Sequence, residues 1–238
     1  MSFRWVILCL MFLPISTLGQ TMVEYSPDFK FKDGLYITFD DFKNNNPIPI
    51  THIISNYDIR DADYLEQVLQ DDSVVYYDNL FEERAVAVER LWGFCQKNRV
   101  FIGFGAGRSY NNPEFFDFFP LINIGAISFF TAVESYYTTM DASPSMGIGF
   151  NDPMMNNNVT VTQSEQVQLL LHFKTGKVLL GKRGDLGGLP TDLVSDLIRS
   201  DIVLLTEFQS LSTKDQKQKG MFFIRKFNQR NPISFPVD

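Results

Sequence analysis

Residues 92–105 have the sequence WGFCQKNRVFIGFG, in which two apolar runs flank the polar pair Lys97 and Asn98. A two-residue connection that contains Asn between two apolar runs is typical of a tight β-hairpin. The flanking runs, residues 92–96 and 99–105, are rich in the aromatic and β-branched residues that favour strands. The stretch therefore predicts an antiparallel hairpin, which is the clearest local structure in the chain.

Further strand patterns lie on both sides of this hairpin. In GLYITF, residues 34–39, apolar side chains alternate with Tyr36 and Thr38, which predicts a strand with one buried face. Gly125 interrupts the apolar residues 115–134 and predicts a bend or a bulge between two strand halves. Other strands are expected at 51–55, 73–77 and 84–91, and a second hairpin at 167–180 that turns at Thr175 and Gly176.

Helical patterns are short at first and dominate the C-terminal part. Asp40 is a candidate cap for one helical turn in which Phe42 packs back, and residues 62–69 favour a short helix or an irregular segment. After Gly188 the apolar period changes to about 3.6, which predicts one helix from Pro190, a second with Ile202 and Phe208 on one face, and a third after Gly220. The predicted class is α+β, with an antiparallel sheet built from hairpins and a C-terminal helical segment.

The first nineteen residues have the pattern of a secretory signal peptide. A head with one positive charge is followed by the apolar run WVILCLMFL, residues 5–13, and then by Pro14. The run is about half the length needed to span a bilayer. Thr17 and Gly19 occupy the positions that a signal peptidase recognises, so we expect a mature chain from Gln20. Residues 20–238 then form a single α+β domain, with a possible mobile segment at 136–158.

Removal of the leader changes the thiol content and the charge. Cys9 leaves with it, so Cys95 has no partner for an internal disulfide, and we interpret Cys95 as a small apolar residue on a strand. A nucleophilic cysteine needs a nearby imidazole, and the chain has only His52 and His172, both distant in sequence. The formal charge of −7 becomes −8 without Arg4. An acidic chain without a basic stripe argues against nucleic acid and anionic lipid as partners.

Two glycine-containing segments resemble phosphate-binding loops without meeting their requirements. GFGAGRS, residues 103–109, has Arg108 where a dinucleotide loop has its third glycine, and no helix pattern follows. TGK, residues 175–177, has Leu171 at the position of the first glycine of a phosphate loop and is better explained as a hairpin turn. We expect no bound cofactor.

The search for metal and catalytic motifs gives few candidates. Asp58, Asp61 and Asp63 in DIRDAD lack the glycine and the distal glutamate of a calcium loop, so we interpret them as a solvated turn. Two histidines and one retained cysteine are few ligands for a zinc site. No GxSxG segment, the nucleophile motif of a common esterase class, is present. A pair of carboxylates for glycoside chemistry cannot be identified among 28 acidic residues.

The phenylalanine run at residues 115–119 has two interpretations. Phenylalanine is abundant, with 23 copies, and alternate aromatic side chains in a strand fill a core between a sheet and helices. An exposed run would instead supply a contact for a partner or a glycan. We favour the core, which predicts that Phe116→Ser and Phe119→Ser disturb folding.

Three blocks of sequence resemble one family. They are DGLYITFDDFKNNNPI, residues 33–48, WGFCQKNRVFIGFG together with the later IGAISFF, and FIRKFNQRNPI, residues 223–233. In this order they resemble an uncharacterised family of secreted α+β proteins from Gram-negative gut and environmental bacteria. The resemblance implies export and the α+β class. It implies no activity and no catalytic residues.

The export pattern, together with the lack of a recognisable catalytic set, favours a non-enzymatic envelope protein that binds or assembles with another component. The partner would be an envelope protein or a glycan, in the periplasm or outside the cell. The alternative is a secreted hydrolase acting on cell-wall or glycan material, with carboxylates in a cleft. A third reading is a stress or maintenance factor in the periplasm. Catalytic and binding residues are unknown at this level, and no stable transmembrane anchor is expected after leader removal.

Overall fold

The computed structural model describes residues 21–79, 82–105, 116–141, 158–183 and 188–237. Within these ranges the chain has antiparallel sheets and C-terminal helices, which confirms the predicted α+β class. The strands are β1 (Thr21–Glu24), β2 (Gly34–Tyr36), β3 (Ile48–Pro49), β4 (Ile53–Ile54), β5 (Ser73–Asn79), β6 (Glu82–Ala87), β7 (Gly93–Gln96), β8 (Arg99–Gly105), β9 (Phe116–Pro120), β10 (Ile127–Asp141), β11 (Asn158–His172), β12 (Lys177–Arg183) and β13 (Ser234–Val237). The helices are α1 (Phe39–Lys43), α2 (Tyr64–Val68), α3 (Thr191–Leu197), α4 (Ile202–Gln209) and α5 (Thr213–Arg230).

The predicted central hairpin is confirmed and lies inside a five-stranded sheet of order β3-β2-β7-β8-β9. Gln96 pairs with Arg99, and the two turn residues have positive φ, 52° at Lys97 and 62° at Asn98. Two successive residues with positive φ give the turn a twist that matches the right-handed twist of its strands. The second predicted hairpin is also present, as β11 and β12.

Both faces of the five-stranded sheet are buried, whereas residues 34–39 predicted a strand with one buried face. Leu35 and Tyr36 point to opposite faces and are each 0% exposed. Leu35 and Phe94 pack toward a sheet of order β4-β5-β6 and helix α2, while Tyr36 and Cys95 pack toward a sheet of order β10-β11-β12. The prediction failed because the two layers that cover this strand come from distant parts of the chain. The alternation of residues within the strand does not show whether its second face is covered.

The strand at β2 ends at Tyr36 because helix α1 begins at Phe39. Its cap is Thr38 rather than the predicted Asp40: the Thr38 hydroxyl accepts from the Asp41 backbone N–H at 3.1 Å, and the Asp41 carboxylate accepts from the Thr38 backbone N–H at 2.7 Å. This reciprocal arrangement is a capping box. Phe42 packs back as predicted, is 0% exposed, and stacks on Trp92 with ring centroids 4.5 Å apart.

The sheet of β10, β11 and β12 lies between the five-stranded sheet and helices α3 to α5. Phe130 and Leu169 face the five-stranded sheet, while Ile127 and Leu170 contact the helices. The structure therefore has four layers: helices, a three-stranded sheet, the five-stranded sheet, and a further sheet with α2. The short sheet of β1 and β13 closes one end through Phe235, which is 0% exposed.

Helix α5 begins at Thr213, whereas the sequence predicted a start after Gly220. The Ser212 hydroxyl caps it by accepting from the Asp215 backbone N–H at 3.2 Å. Gly220 is a buried position inside the helix, where an added Cβ would lie 3.1 Å from Val194 and 3.2 Å from Leu189. The sequence placed this glycine before the helix, but it lies inside α5 and lets α5 approach α3 closely.

Two predicted strands are interrupted by single turns of 3-10 helix. The segment 51–55 forms a 3-10 turn at Ile50–His52 followed by β4, and the segment 84–91 continues as β6 until a 3-10 turn at Val88–Arg90. The predicted bend at Gly125 is confirmed between β9 and β10. The predicted helical segment at 62–69 is α2.

Strands β10 and β11 pair over fifteen residues each, but in the part of the chain that the structure describes β12 accompanies β11 only along Val167–His172. Beyond that point Val133–Asp141 pair with Asn158–Gln166 as a two-stranded extension, named here the ribbon. At about 3.3 Å per residue it is about 30 Å long. The possible mobile segment 136–158 overlaps the ribbon at both ends, and residues 142–157 lie outside the described residues, as does the predicted signal peptide.

Candidate functional site

A cleft lies where β4 separates from β5. Ile53 pairs with Tyr76, but the preceding 3-10 turn at Ile50–His52 turns away from the ladder, so no β4 residue lies opposite Tyr77 and Asp78. The space that remains has a volume of about 380 Å³. Its apolar lining comes from Leu35, Ile37, Pro47, Ile48 and Pro49, and its polar lining from Asp41, Asn46, His52, Tyr76, Tyr77 and Asp78.

The two carboxylates of the cleft are held by contacts within the protein. Asp41 Oδ2 accepts from the Thr38 backbone N–H at 2.7 Å and from the Thr38 hydroxyl at 2.8 Å. Asp78 Oδ2 lies 2.8 Å from Nη1 of Arg84. Both carboxylates are therefore positioned before any ligand arrives, by a helix cap in one case and by a cross-strand ion pair in the other.

The two tyrosines of the cleft differ in burial and in electrostatics. Tyr76 is 6% exposed, and burial raises the pKa of its hydroxyl. The charge of Asp78 and that of Asp41 raise this pKa further, while Arg84 opposes them. Tyr77 is 38% exposed, and its hydroxyl donates to Oε1 of Glu83 at 3.3 Å. The charges of both carboxylates therefore act on the same group of the cleft, the Tyr76 hydroxyl.

The thiol and the imidazoles singled out in the sequence are not brought together. Cys95 is 0% exposed on β7, its Sγ donates to Oδ1 of Asp33 at 3.5 Å, and burial followed by the Asp33 charge raises the pKa of the thiol. These contacts support its interpretation as a small buried residue. His52 lines the cleft, whereas His172 ends β11 with its Nδ1 3.0 Å from the Thr175 hydroxyl.

The acidic turn at residues 58–63 forms local contacts. Asp58 binds Arg60 through Nε at 3.1 Å and Nη2 at 3.0 Å, and this bonding lowers the pKa of Asp58. Asp63 accepts from Nε2 of Gln67 at 2.9 Å at the start of α2. Within the described ranges no three His, Cys, Asp or Glu side chains are grouped as metal ligands. The carboxylates of Asp58 and Asp63 are therefore engaged by side chains of the same segment.

The described part of the phenylalanine run, Phe116–Pro120, alternates between the two faces of the five-stranded sheet. Phe118 is half-buried and lies 5.2 Å from Phe94 between ring centroids, on the face that packs toward β4 to β6. Phe119 packs on the opposite face. The side chains fill space between sheets, where the sequence suggested a core between sheet and helices. Phe115 lies outside the described residues.

A second cavity, of about 350 Å³, lies between the C-terminal half of α5, the segment before β10 and the start of the described chain. One of its polar lining residues is Asn228, whose Oδ1 accepts from the Ile127 backbone N–H and whose Nδ2 donates to the Ile127 carbonyl, both at 2.8 Å. An added Cβ at Gly125 would lie 2.7 Å from this amide. Asn228 therefore joins α5 to β10 and is a structural group.

The ribbon is the other feature open to a partner. Its first outward residue, Val133, is 46% exposed, directly after Ala132 at 0%. Among the strands of the described ranges, β10 lies at the edge of its sheet. An edge strand presents backbone donors and acceptors to any chain that lies beside it, and an isolated two-stranded ribbon is only marginally stable in water.

Comparison of the chain with family models, with curated proteins and with solved structures gave no match. None of the helices in the described ranges combines the length and the apolar character that crossing a bilayer requires. The cleft residues were missed at the level of sequence because they come from three separate segments. FDDF was recognised only as a helix turn, and the Tyr76, Tyr77 and Asp78 group only as part of a strand.

Proposed function

We propose that the protein is an exported, non-enzymatic binding or assembly component of the cell envelope. The observation that carries this proposal is the ribbon, which extends nine residue pairs beyond the part of the hairpin that β12 accompanies. A two-stranded ribbon gains stability when a further strand or surface pairs with it. A partner that lies along the β10 edge would supply this third element.

Export is part of the same proposal and rests on the leader pattern of residues 1–19. A short apolar run that ends at Pro14 suits cleavage, and the acidic mature chain suits a protein partner or a neutral glycan in preference to nucleic acid. Cell fractionation followed by N-terminal sequencing tests this step. The expected result is a periplasmic or extracellular chain that begins at Gln20, and an intact N-terminus in the cytoplasmic fraction would contradict it.

Crosslinking in living cells followed by mass spectrometry tests the binding role. In the decisive variant an Asn-Gly turn replaces residues 134–165, joining Val133 to Gln166, which are directly paired across the ribbon. The expected result is a reproducible protein neighbour of the native chain that the shortened chain loses while its thermal unfolding midpoint is retained. Phe222→Ser, at a 58% exposed position on α5, is the matched control and keeps the neighbour.

A neighbour that the shortened chain retains would show that the ribbon is not the contact. If the native chain has no reproducible neighbour and the purified protein degrades a wall or glycan substrate, the non-enzymatic role is wrong. These two outcomes separate an error in the contact from an error in the function.

The second candidate is a hydrolase that acts on cell-wall or glycan material. It is favoured by one observation: Asp41 and Asp78 line the same cleft, and the charges of both raise the pKa of Tyr76. Two carboxylates are the usual catalytic groups of glycoside hydrolysis. Incubation with wall fragments tests it, with Asp41→Asn and Asp78→Asn expected to abolish product formation and Asp40→Asn as the exposed neighbouring control. The leading proposal predicts no product from any of these chains.

A further inference from the structure

The cleft beside Tyr76 has the size and lining of a site for a small ligand. Its volume of about 380 Å³ lies at the lower end of the range of about 300–1,000 Å³ typical of ligand pockets. Leu35, Ile37 and Ile48 supply apolar surface, while Asp41 and Asp78 come from separate elements, α1 and β5. Convergent polar groups over an apolar lining are the usual means by which a pocket orients a ligand.

The charges of the cleft disfavour an anion and weaken the attraction for a cation. The two carboxylates disfavour an anionic ligand, and the guanidinium of Arg84, 2.8 Å from Asp78, offsets the attraction that Asp78 would exert on a cation. Arg84 is also held by Glu82, 3.4 Å from its Nη2, so it stays at this side of the cleft. An uncharged ligand that is rich in hydrogen-bond donors satisfies the carboxylates without opposing Arg84.

The acceptors are fixed in advance, which lowers the cost of binding. Asp41 is oriented by two hydrogen bonds from Thr38 and Asp78 by Arg84, so neither side chain loses much rotamer freedom when a ligand binds. Hydrogen bonds from hydroxyl groups to ionised carboxylates are about twice as strong as neutral ones. Asn46 and His52 add groups that donate and accept, the pattern that a hydroxyl needs.

Tyr77 adds a partly exposed aromatic residue at the edge of the cleft, with its hydroxyl turned toward Glu83. It lines the cleft, remains 38% exposed, and its hydroxyl is held at 3.3 Å from Glu83. A tyrosine with one polar end and an accessible ring offers apolar area at low conformational cost. A sugar ring has hydroxyl groups around its edge and C–H groups on its faces, so it matches both parts of this lining.

We infer that the cleft beside Tyr76 binds a neutral mono- or disaccharide, with Asp41 and Asp78 accepting hydrogen bonds from its hydroxyl groups and Tyr77 contacting a ring face. This inference does not depend on the ribbon, because the cleft and the ribbon belong to different sheets. The crosslinking result for the shortened chain therefore leaves it unaffected, and loss of sugar binding leaves the proposed assembly role unaffected.

The test is saturation-transfer NMR and calorimetry on the full mature chain with glucose, galactose, N-acetylglucosamine, maltose and cellobiose, each at about 10 mM to detect weak binding. At least one sugar is expected to bind, and Tyr77→Ala and Asp78→Asn are each expected to weaken it about tenfold or more. Asp78→Asn removes only an exposed ion pair, so the fold is expected to persist. Tyr57→Ala, another exposed tyrosine, is the matched control and leaves affinity unchanged.

Salt and charged probes separate this ligand class from others. Affinity for a neutral sugar is expected to change less than about twofold between about 50 mM and 500 mM NaCl, because no net charge is screened. Binding of tetramethylammonium or inorganic phosphate at this cleft with no sugar bound would overturn the inference. It would also be overturned if no sugar in the panel binds, or if a sugar binds equally to the native chain, Tyr77→Ala and Asp78→Asn.

Discussion

The two ends of the β10–β11 hairpin use the same antiparallel pairing in opposite surroundings. At the base, Ile127, Phe130 and Ala132 are each 0% exposed, with β12 alongside, helices on one face and the five-stranded sheet on the other. One residue further, Val133 is 46% exposed and the ribbon begins. The backbone ladder is continuous across this boundary, but the covering layers are not.

This comparison indicates that the covering layers stabilise the hairpin more than its backbone hydrogen bonds do. Net stabilisation by an exposed backbone hydrogen bond is small because water competes for the same groups. Burial of aromatic and aliphatic side chains contributes several times more for each residue. We therefore expect changes at the base to affect folding and changes in the ribbon to affect partner binding.

The largest expected effect is at the base, in Phe130→Ala. Phe130 is 0% exposed and contacts Phe104 with ring centroids 5.9 Å apart, so its truncation leaves a cavity between two sheets. The free energy of unfolding should fall by about 3–5 kcal/mol. Val133→Ala, three residues along, should lower it by less than about 0.5 kcal/mol. Urea unfolding of both variants measures the difference, and similar losses would contradict the boundary at Val133.

A somewhat smaller effect is expected where the base is joined to the helices, in Asn228→Ala. The amide of Asn228 makes two 2.8 Å hydrogen bonds to the backbone of Ile127. In the described chain no strand pairs with Ile127 on the side of β10 that faces away from β11. Loss of both bonds leaves a buried N–H and C=O without partners and should cost about 2–3 kcal/mol. Gln229→Ala, at an exposed neighbouring position, is the control and should be near neutral in the same urea experiment.

How far the sequence predicts this structure depends on how local each signal is. The hairpin at residues 92–105 was predicted because its turn residues and both strands lie within fourteen positions, and its β-turn requires only its own residues. The start of α5 was placed too late because Gly220 has a packing role against Leu189, which lies thirty-one residues earlier. A glycine that is needed for close packing and one that ends an element have the same local pattern.

The candidate site was less predictable than the fold for the same reason. Asp41, His52 and Asp78 belong to three segments that meet only because a 3-10 turn diverts the chain away from β5. No spacing in the sequence encodes that diversion. The ribbon was also missed, because the apolar pattern of residues 136–158 is weak and predicted a possible mobile segment. The backbone of residues 136–141 nevertheless pairs with that of 158–163.

A third effect, of about 2 kcal/mol, is expected at the turn of the central hairpin in Asn98→Ala. Alanine is strained at φ 62°, by about 1–2 kcal/mol, and it also loses the 2.8 Å bond that Oδ1 of Asn98 accepts from the Phe31 backbone N–H. Asn98→Gly removes the bond but not the freedom to adopt positive φ, so it should cost about half as much. Equal losses in thermal unfolding would mean that the conformation of the turn contributes nothing.

The smallest expected effect is a pH dependence at the very base of the hairpin, where His172 ends β11. Burial, and then the charge of Lys174, lower the pKa of His172. The folded chain therefore binds this proton less readily than the unfolded chain does. Its cost to stability is absent above the unfolded pKa of about 6.5 and grows as the pH falls through and below that value, until the folded pKa is passed.

His172→Gln removes this titration, so the loss of unfolding free energy between pH 7 and pH 5 should be smaller in the variant than in the native chain. The difference should be slight, because a half-exposed imidazole is screened by solvent. Lys174→Gln should reduce the same loss in part, since it removes the second cause and keeps the imidazole. A steeper loss in His172→Gln would mean that the charged imidazole stabilises the folded chain, contrary to the lowered pKa of His172.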